Sequence, residues 1–140
     1  MTRLLTIAAL ALALTVVACG GESAEDRAQS KVCSARADIK KQVDELKATT
    51  ISTASVDGIQ ANLKAIQKAV EQIASEQSKL ADDRREEVQK ANQAFKAEVA
   101  DVGRTLVSGL ASGGGEAQIK AAVDKLAAGY QSAFAPVECD

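Results

Sequence analysis

Residues 56–80 read VDGIQANLKAIQKAVEQIASEQSKL, the stretch with the most regular hydrophobic pattern in the chain. Its apolar side chains recur at alternating intervals of three and four, and only Gln77 interrupts the series. Such spacing places them on one side of a helix, as in a heptad seam. The series consists of Val56, Ile59, Leu63, Ile66, Val70, Ile73 and Leu80. We therefore predict a long amphipathic helix whose apolar side packs against other helices.

A dense cluster of charges, DDRREE at residues 82–87, follows this helix. Asp83 and Glu86 have the spacing of a capping box with aspartate in the capping role, which predicts that a third helix begins here. That helix would bury Val88, Ala91, Phe95, Val99, Val102, Leu106 and Leu110. Because no glycine or proline lies at the junction, the alternative is one continuous helix of about 55 residues, roughly 82 Å long.

Two further helices flank this pair. The first is predicted from about Ser30 to Ala48, before a run of β-branched and hydroxyl residues at 49–53, and Ser55 is the predicted N-cap of the second helix. Glycines at 113–115 break the chain, Glu116 opens the fourth helix, and Pro136 marks its end. The predicted buried faces are Val32, Ile39, Val43 and Leu46 in the first helix, and Ile119, Val123, Leu126, Tyr130 and Phe134 in the fourth.

These elements predict an all-α fold, an antiparallel up-down-up-down bundle of four helices. Alanine, lysine, glutamine and glutamate dominate the composition, and all are strong helix formers. The alternative is three helices with one long continuous central helix.

The first residues have the features of an export signal. Arg3 supplies a positive charge, and residues 4–17 then run for about fourteen positions without a charged side chain. This run is shorter than the about 20 residues that a membrane-spanning helix needs. It ends at Val16-Val17-Ala18-Cys19, which resembles the lipobox of bacterial lipoproteins. The resemblance implies cleavage before Cys19 and acylation of that cysteine; the alternative is an ordinary cleaved signal with an incidental Cys19.

The resemblance also implies a division of the chain and a location. Residues 1–18 would be the signal peptide, residues 19–29 the lipidated cysteine with a flexible tether, and residues 30–140 a single helical domain. The exported protein would be lipid-anchored to the outer face of the cell membrane, or to the outer membrane if the host has one. Its first partner is then the lipid bilayer, since two or three acyl chains on Cys19 give stable attachment.

If Cys19 is lipidated, Cys33 and Cys139 remain as a pair in an oxidising compartment, and we predict that they form a disulfide. The alternative is two unrelated thiols. The bond would close a loop of about 107 residues, which is worth at most about 4 to 5 kcal/mol by chain entropy. It also favours the four-helix topology, because a continuous central helix would leave the two sulfurs roughly 20 Å apart.

Composition argues against several classes of function. The chain is weakly acidic, with 17 basic and 19 acidic side chains, and it has one tyrosine, two phenylalanines and no tryptophan. The basic stripe and stacking aromatics of a nucleic-acid binder are therefore missing. Histidine is absent, so acid-base catalysis near neutral pH and zinc binding lose their commonest residue. We predict a non-enzymatic protein that needs no cofactor or metal.

The charge cluster is the one candidate cation site. The carboxylates of Asp82, Asp83, Glu86 and Glu87 are ligands that calcium accepts, but two arginines lie between them. A capped helix start with a solvated charge run is the favoured interpretation.

Small and aromatic residues suggest an apolar groove between helices. Gly103 and Gly109 give the third helix a small-residue side, and Tyr130 and Phe134 lie one turn apart in the fourth. The alternative is ordinary internal packing.

The leading hypothesis for the function is a helical interaction or structural module of the cell envelope that contacts a protein or the cell-wall polymer. The others are a carrier of an apolar ligand or lipid, and self-association through the second helix. The turns near Thr50 and Gly114 would face away from the membrane.

Overall fold

A computed structural model describes residues 21–48, 56–113 and 115–139. The described chain forms four helices: α1 (Ala24–Ala48), α2 (Val56–Glu76), α3 (Asp82–Ala111) and α4 (Glu116–Phe134). Each helix packs against the next, and α4 packs back against α1, so the four helices surround one core. The predicted antiparallel four-helix bundle is confirmed. The predicted break at 49–53, the Ser55 cap, and the turn positions Thr50 and Gly114 lie outside the described residues.

The core consists of the apolar stripes that the sequence predicts. The apolar residues of the α2 seam from Ile59 to Leu80 are all buried. The predicted faces of α1 and α4 are buried as well, and Leu110 in α3 is only partly so. Five alanines are buried in the same core: Ala28, Ala35, Ala69, Ala91 and Ala122.

All three aromatic residues of the chain lie in this core. The ring centroid of Phe95 on α3 is 5.8 Å from that of Tyr130 and 5.5 Å from that of Phe134, both in edge-to-face geometry. The two α4 rings are 5.4 Å apart. The Tyr130 hydroxyl donates a hydrogen bond to the backbone carbonyl of Arg36 on α1 at 3.1 Å. This cluster joins three helices, and edge-to-face packing is favourable because ring edges are positive and ring faces negative.

The reversal between α2 and α3 corrects the predicted boundary. α2 ends at Glu76, a short 3₁₀ turn covers Gln77–Lys79, and α3 begins at Asp82. Leu80 adopts an extended conformation and is buried, so its side chain enters the core while the backbone turns. The continuous central helix is therefore wrong, and the turn precedes Asp82. The predicted capping box is also wrong, since Ala81 occupies the N-cap without a side-chain hydrogen bond.

α1 begins earlier than predicted. The expected tether at 19–29 includes residues 24–29, but these are helical. Ser23 Oγ accepts a hydrogen bond from the backbone N–H of Asp26 at 3.0 Å, and Asp26 Oδ2 accepts one from the backbone N–H of Ser23 at 3.2 Å. This reciprocal capping stabilises the first turn, and the hydrogen bond from the Ser23 hydroxyl lowers the pKa of Asp26. Ala28 is almost fully buried.

The α3–α4 turn follows the prediction. Gly113 has a φ of 68°, the left-handed conformation that glycine adopts without steric cost. Gly115 is the N-cap of α4, which begins at Glu116 as expected.

Candidate functional site

One end of the bundle, here named the disulfide pole, holds the start of α1 and the residues that follow α4. The sulfurs of Cys33 and Cys139 are 2.01 Å apart and their Cα atoms 5.5 Å apart, so the predicted pair lies at disulfide distance. The C-terminal segment has other attachments too. Val137 is buried, and its carbonyl accepts a hydrogen bond from Arg36 Nη1 at 2.6 Å. Gln29 Nε2 donates to the Glu138 carbonyl at 2.7 Å.

The disulfide pole also contains a nearly buried carboxylate. Glu76, at the end of α2, contacts Lys79 at 3.0 Å and Lys31 of α1 at 3.2 Å, and its side chain is 10% exposed. The hydrogen bond from Lys79, and next that from Lys31, lower the pKa of Glu76. Local sequence pattern does not report this contact, because Lys31 lies 45 positions away in sequence. The Glu76 carboxylate connects α2 to α1 through its ion pair with Lys31, and neither lysine forms a catalytic pair with it.

A groove lies between α2 and α3, in the half of the bundle away from the disulfide pole. We name it the α2–α3 groove; its volume is about 840 Å³, and it is open to solvent rather than enclosed. Leu63 forms its apolar side on α2. Its α3 side consists of Val99, Ala100, Gly103, Val107 and Ala111, and its polar border includes Gln60, Lys64, Gln67, Asp101 and Arg104.

The groove exists because α3 carries small residues opposite α2. A β-carbon at Gly103 would lie 3.7 Å from Leu63 Cδ1, which is ordinary contact distance, so the glycine leaves unfilled space. Val107 stands at the border and is 37% exposed, the one large hydrophobic side chain exposed among the described residues. Positions 100, 103, 107 and 111 form a second helical stripe beside the core stripe of α3. Val107 was missed by sequence analysis, and this spacing could have found it.

The four residues of the predicted apolar groove do not come together. Gly103 lines the α2–α3 groove, but Gly109 lines a separate recess between α3 and α4. Six residues at 100° each place these glycines about 120° apart around the helix. Tyr130 and Phe134 lie in the core with Phe95. The prediction of one groove lined by all four is therefore corrected.

The charge along the α2–α3 groove is positive in sum, because its lining holds two cations, Lys64 and Arg104, and one carboxylate, Asp101. Asp101 Oδ2 accepts a hydrogen bond from Lys125 of α4 at 2.7 Å, which lowers the pKa of Asp101 and raises that of Lys125. The carboxylate is thus already neutralised from the α4 side. Arg104 approaches it only at 3.9 Å and is 81% exposed. Lys64, on the α2 border, has no carboxylate of the described chain within ion-pair distance.

The charged start of α3 forms ordinary surface ion pairs. Arg85 contacts Asp82 at 3.0 Å, and Lys90 contacts Glu86 at 2.7 Å. Within residues 21–48, 56–113 and 115–139, no three acidic, cysteine or histidine side chains are grouped so that they could hold a metal ion. In the same ranges, no helix has the length and apolar character needed to cross a membrane.

No protein-family model matches the chain, and no curated protein or solved structure matches it. The predicted lipidation site, Cys19, lies outside the described residues. The basis for a function is therefore the signal motif in the sequence, the disulfide pole and the α2–α3 groove.

Proposed function

We propose that this protein is a membrane-anchored bacterial lipoprotein that serves as a non-enzymatic interaction module of the cell envelope. The observation that carries the proposal is the α2–α3 groove, an open and largely apolar surface beside the core of the bundle. Concave, mostly apolar surface with a few polar groups at its border is typical of binding sites. The partner would be an envelope protein or the cell-wall polymer.

The position of the groove fits attachment through Cys19. Four residues separate Cys19 from Ala24, so an acylated cysteine would lie at most about 18 Å from the start of α1. The disulfide pole would then face the bilayer. On α2 the groove runs from Gln67 to Gln60, which is about 13 to 24 Å from the end of that helix at Glu76. In this orientation the groove lies in the half of the bundle that is farther from the membrane.

Export also accounts for the cysteine pair. In an oxidising compartment, Cys33 and Cys139 would form a stable disulfide that needs no further cysteine, and Cys19 would remain for acylation. This division of three cysteines into an anchor and a pair supports the proposal.

The anchor is tested by changing Cys19→Ala in the full chain. We expect the variant to lose the acyl mass and to leave the membrane fraction. The matched control, Cys33→Ala, should keep both the acyl mass and the membrane location. Membrane attachment that survives Cys19→Ala, with no acyl mass on the wild-type protein, would rule out the lipoprotein assignment.

The interaction function is tested by photocrosslinking in intact cells. A photoreactive amino acid at Val107 should give a reproducible adduct with an envelope component. The control position is Ala37, which is exposed on α1 and distant in sequence from both groove helices. If no exposed position of the bundle gives an adduct, the protein is not an interaction module.

A second candidate function is the transport of an apolar ligand, which the volume of the groove favours and its openness to solvent disfavours. About 840 Å³ falls within the range of about 300 to 1,000 Å³ for small-molecule sites. Native mass spectrometry of protein purified from its own membrane should then show a bound species. Recovery of apoprotein alone would exclude this function.

A further inference from the structure

We infer that the α2–α3 groove is a docking surface for an amphipathic helix of another envelope protein, and that this helix presents an apolar stripe bordered by acidic residues. The inference rests on the proposed interaction function and specifies its surface and the chemistry of its partner. Three observations carry it: the shape of the groove, the charge of its border, and the poor fit of other occupants.

The shape of the groove suits a helix. Its α3 side runs from Val99 to Ala111, which is about 18 Å or three turns of helix. Gly103 has no side chain and Ala100 only a methyl group, so another backbone can approach this side of the groove closely. Val107 projects at the border, where it would fit between side chains of the incoming helix. Recognition of this type uses apolar anchors at positions i, i+3, i+4 and i+7 of the bound helix.

The charge of the border specifies what should flank the apolar stripe. Lys64 on α2 and Arg104 on α3 lie on opposite sides of the groove. The only carboxylate of the lining, Asp101, is shared by two cations, Lys125 at 2.7 Å and Arg104 at 3.9 Å. A docked helix would therefore meet positive charge on both sides. Acidic residues on each side of its stripe would complement that charge and fix its orientation.

A second copy of this chain fits the groove poorly. If two grooves met about a two-fold axis, the lysine and arginine borders would face their own copies, and like charges repel. Nor does the described chain offer a complementary stripe, because Val107 is its one exposed large hydrophobic residue and already belongs to the groove.

Glycans and free lipids also fit poorly. Sugar rings commonly stack on aromatic side chains, but the three aromatic residues of the chain are buried in the core. Small-molecule sites usually bury 70–90% of their ligand. An open groove between two helices leaves one side of an acyl chain in water.

The test is photocrosslinking of the full-length protein in intact cells, with the photoreactive residue placed at Val107 or at Gln60. Adducts are digested and the partner peptide is mapped by mass spectrometry. We expect both positions, one on each side of the groove, to react with the same segment of one protein, and that segment to be an acidic amphipathic helix. Mapping to a lipid, to a glycan, to a second copy of this chain or to a basic or non-helical segment would overturn the inference.

Charge reversal tests the border directly. Lys64→Glu combined with Arg104→Glu should reduce the adduct yield about tenfold, since two favourable charge contacts become repulsive. The matched control combines Lys68→Glu with Lys96→Glu, exposed residues on the same two helices that do not line the groove. Both double variants change the net charge equally. An equal reduction by both would show that the border charges have no specific role and would overturn the inference.

Filling the groove tests its shape. Gly103→Leu should abolish the adduct, whereas Gly109→Leu on the same helix faces the separate α3–α4 recess and should not. Circular dichroism establishes that both variants remain helical. If Val107 and Gln60 give no adduct while other exposed positions do, the groove is not the docking surface, although the interaction function stands. If no position gives one, both proposals fail.

Discussion

Gly129 on α4 lies so close to Glu98 on α3 that a β-carbon at position 129 would stand 2.6 Å from Glu98 Cγ. The two helices therefore make a close approach at this point, and it depends on the missing side chain. Glu98 Cγ is only two bonds from the α3 backbone, so it cannot move away without a change of rotamer or a shift of the helix.

We expect Gly129→Ala to destabilise the bundle by about 1 kcal/mol. Overpacking costs about 1 to 3 kcal/mol, while the better helix propensity of alanine returns about 1 kcal/mol. Gly109→Ala is the matched control, because a β-carbon at position 109 would have nothing within 4 Å, and it should stabilise the protein by about 0.5 to 1 kcal/mol. Urea unfolding measures both. Equal effects of the two changes would show that α3 and α4 are farther apart here.

The aromatic cluster yields a graded prediction. Phe134→Ala removes a fully buried ring that contacts two others and should cost about 3 to 5 kcal/mol. Tyr130→Phe keeps the ring and removes only the hydrogen bond to the Arg36 carbonyl, so it should cost about 1 kcal/mol. The free energies of unfolding from denaturant titration distinguish them. A larger loss from Tyr130→Phe would contradict a core held mainly by packing.

Glu76 should make the bundle sensitive to acid. Its pKa in the folded protein lies below the ordinary value of 4.5, because Lys79 and Lys31 donate hydrogen bonds to the carboxylate. The ion pairs therefore stabilise the fold above about pH 4.5, and this contribution is lost as the pH falls through the lowered pKa of Glu76. We expect Glu76→Gln to lower the melting temperature at pH 7 and to flatten its decline below pH 5.

Glu86→Gln is the control for this pH dependence. The pKa of Glu86 is also lowered by a lysine, but its side chain is 71% exposed and its ion pair stays within α3. Its effect at pH 7 should be smaller. A Glu76→Gln variant whose melting temperature follows the wild-type pH profile would contradict a structural role for the carboxylate.

Removal of the cysteine pair should lower the free energy of unfolding while the helical fold remains. Cys33→Ser with Cys139→Ser should lower the free energy of unfolding by up to about 4 to 5 kcal/mol, the chain-entropy value for two cysteines with a sequence separation of 106. The helical content should remain, because Arg36 and Gln29 still hold the C-terminal segment. Reduction of the oxidised chain should add two hydrogens to its mass. An unchanged mass would show that the pair is not bonded.

The helices were predictable because each has a clear apolar period. The α2 seam predicted the buried residues from Ile59 to Leu80, and the Cys33–Cys139 hypothesis selected the four-helix topology over a continuous helix. The exact turn was not predictable from charge alone. The charges at 82–87 mark the start of α3, but they do not report that α2 ends at Glu76 or that Leu80 is buried where the backbone reverses.

The functional surface was less predictable, because it depends on how helices rotate against each other. Pairing Gly103 with Gly109 overlooked their different directions around α3, and Val107 lies just outside the core stripe. Burial of Glu76 depends on Lys31 of α1, a contact that no local pattern reports. The capping at Ser23 and Asp26 was readable from sequence and was overlooked among the polar residues before the helix.

The position of Cys33 has a mechanical consequence. With its bond to Cys139 formed, residues 33–139 are a closed covalent ring that contains most of α1 and all of α2, α3 and α4. If the protein is pulled through an anchor at Cys19, the part of the described chain that can unravel freely ends at Val32. Beyond Val32 the pulling force divides between the two arms of the ring, which are α1 on one side and the disulfide with the C-terminal segment on the other. The helices that form the groove lie inside this ring, so they cannot be drawn out one after another from the anchor.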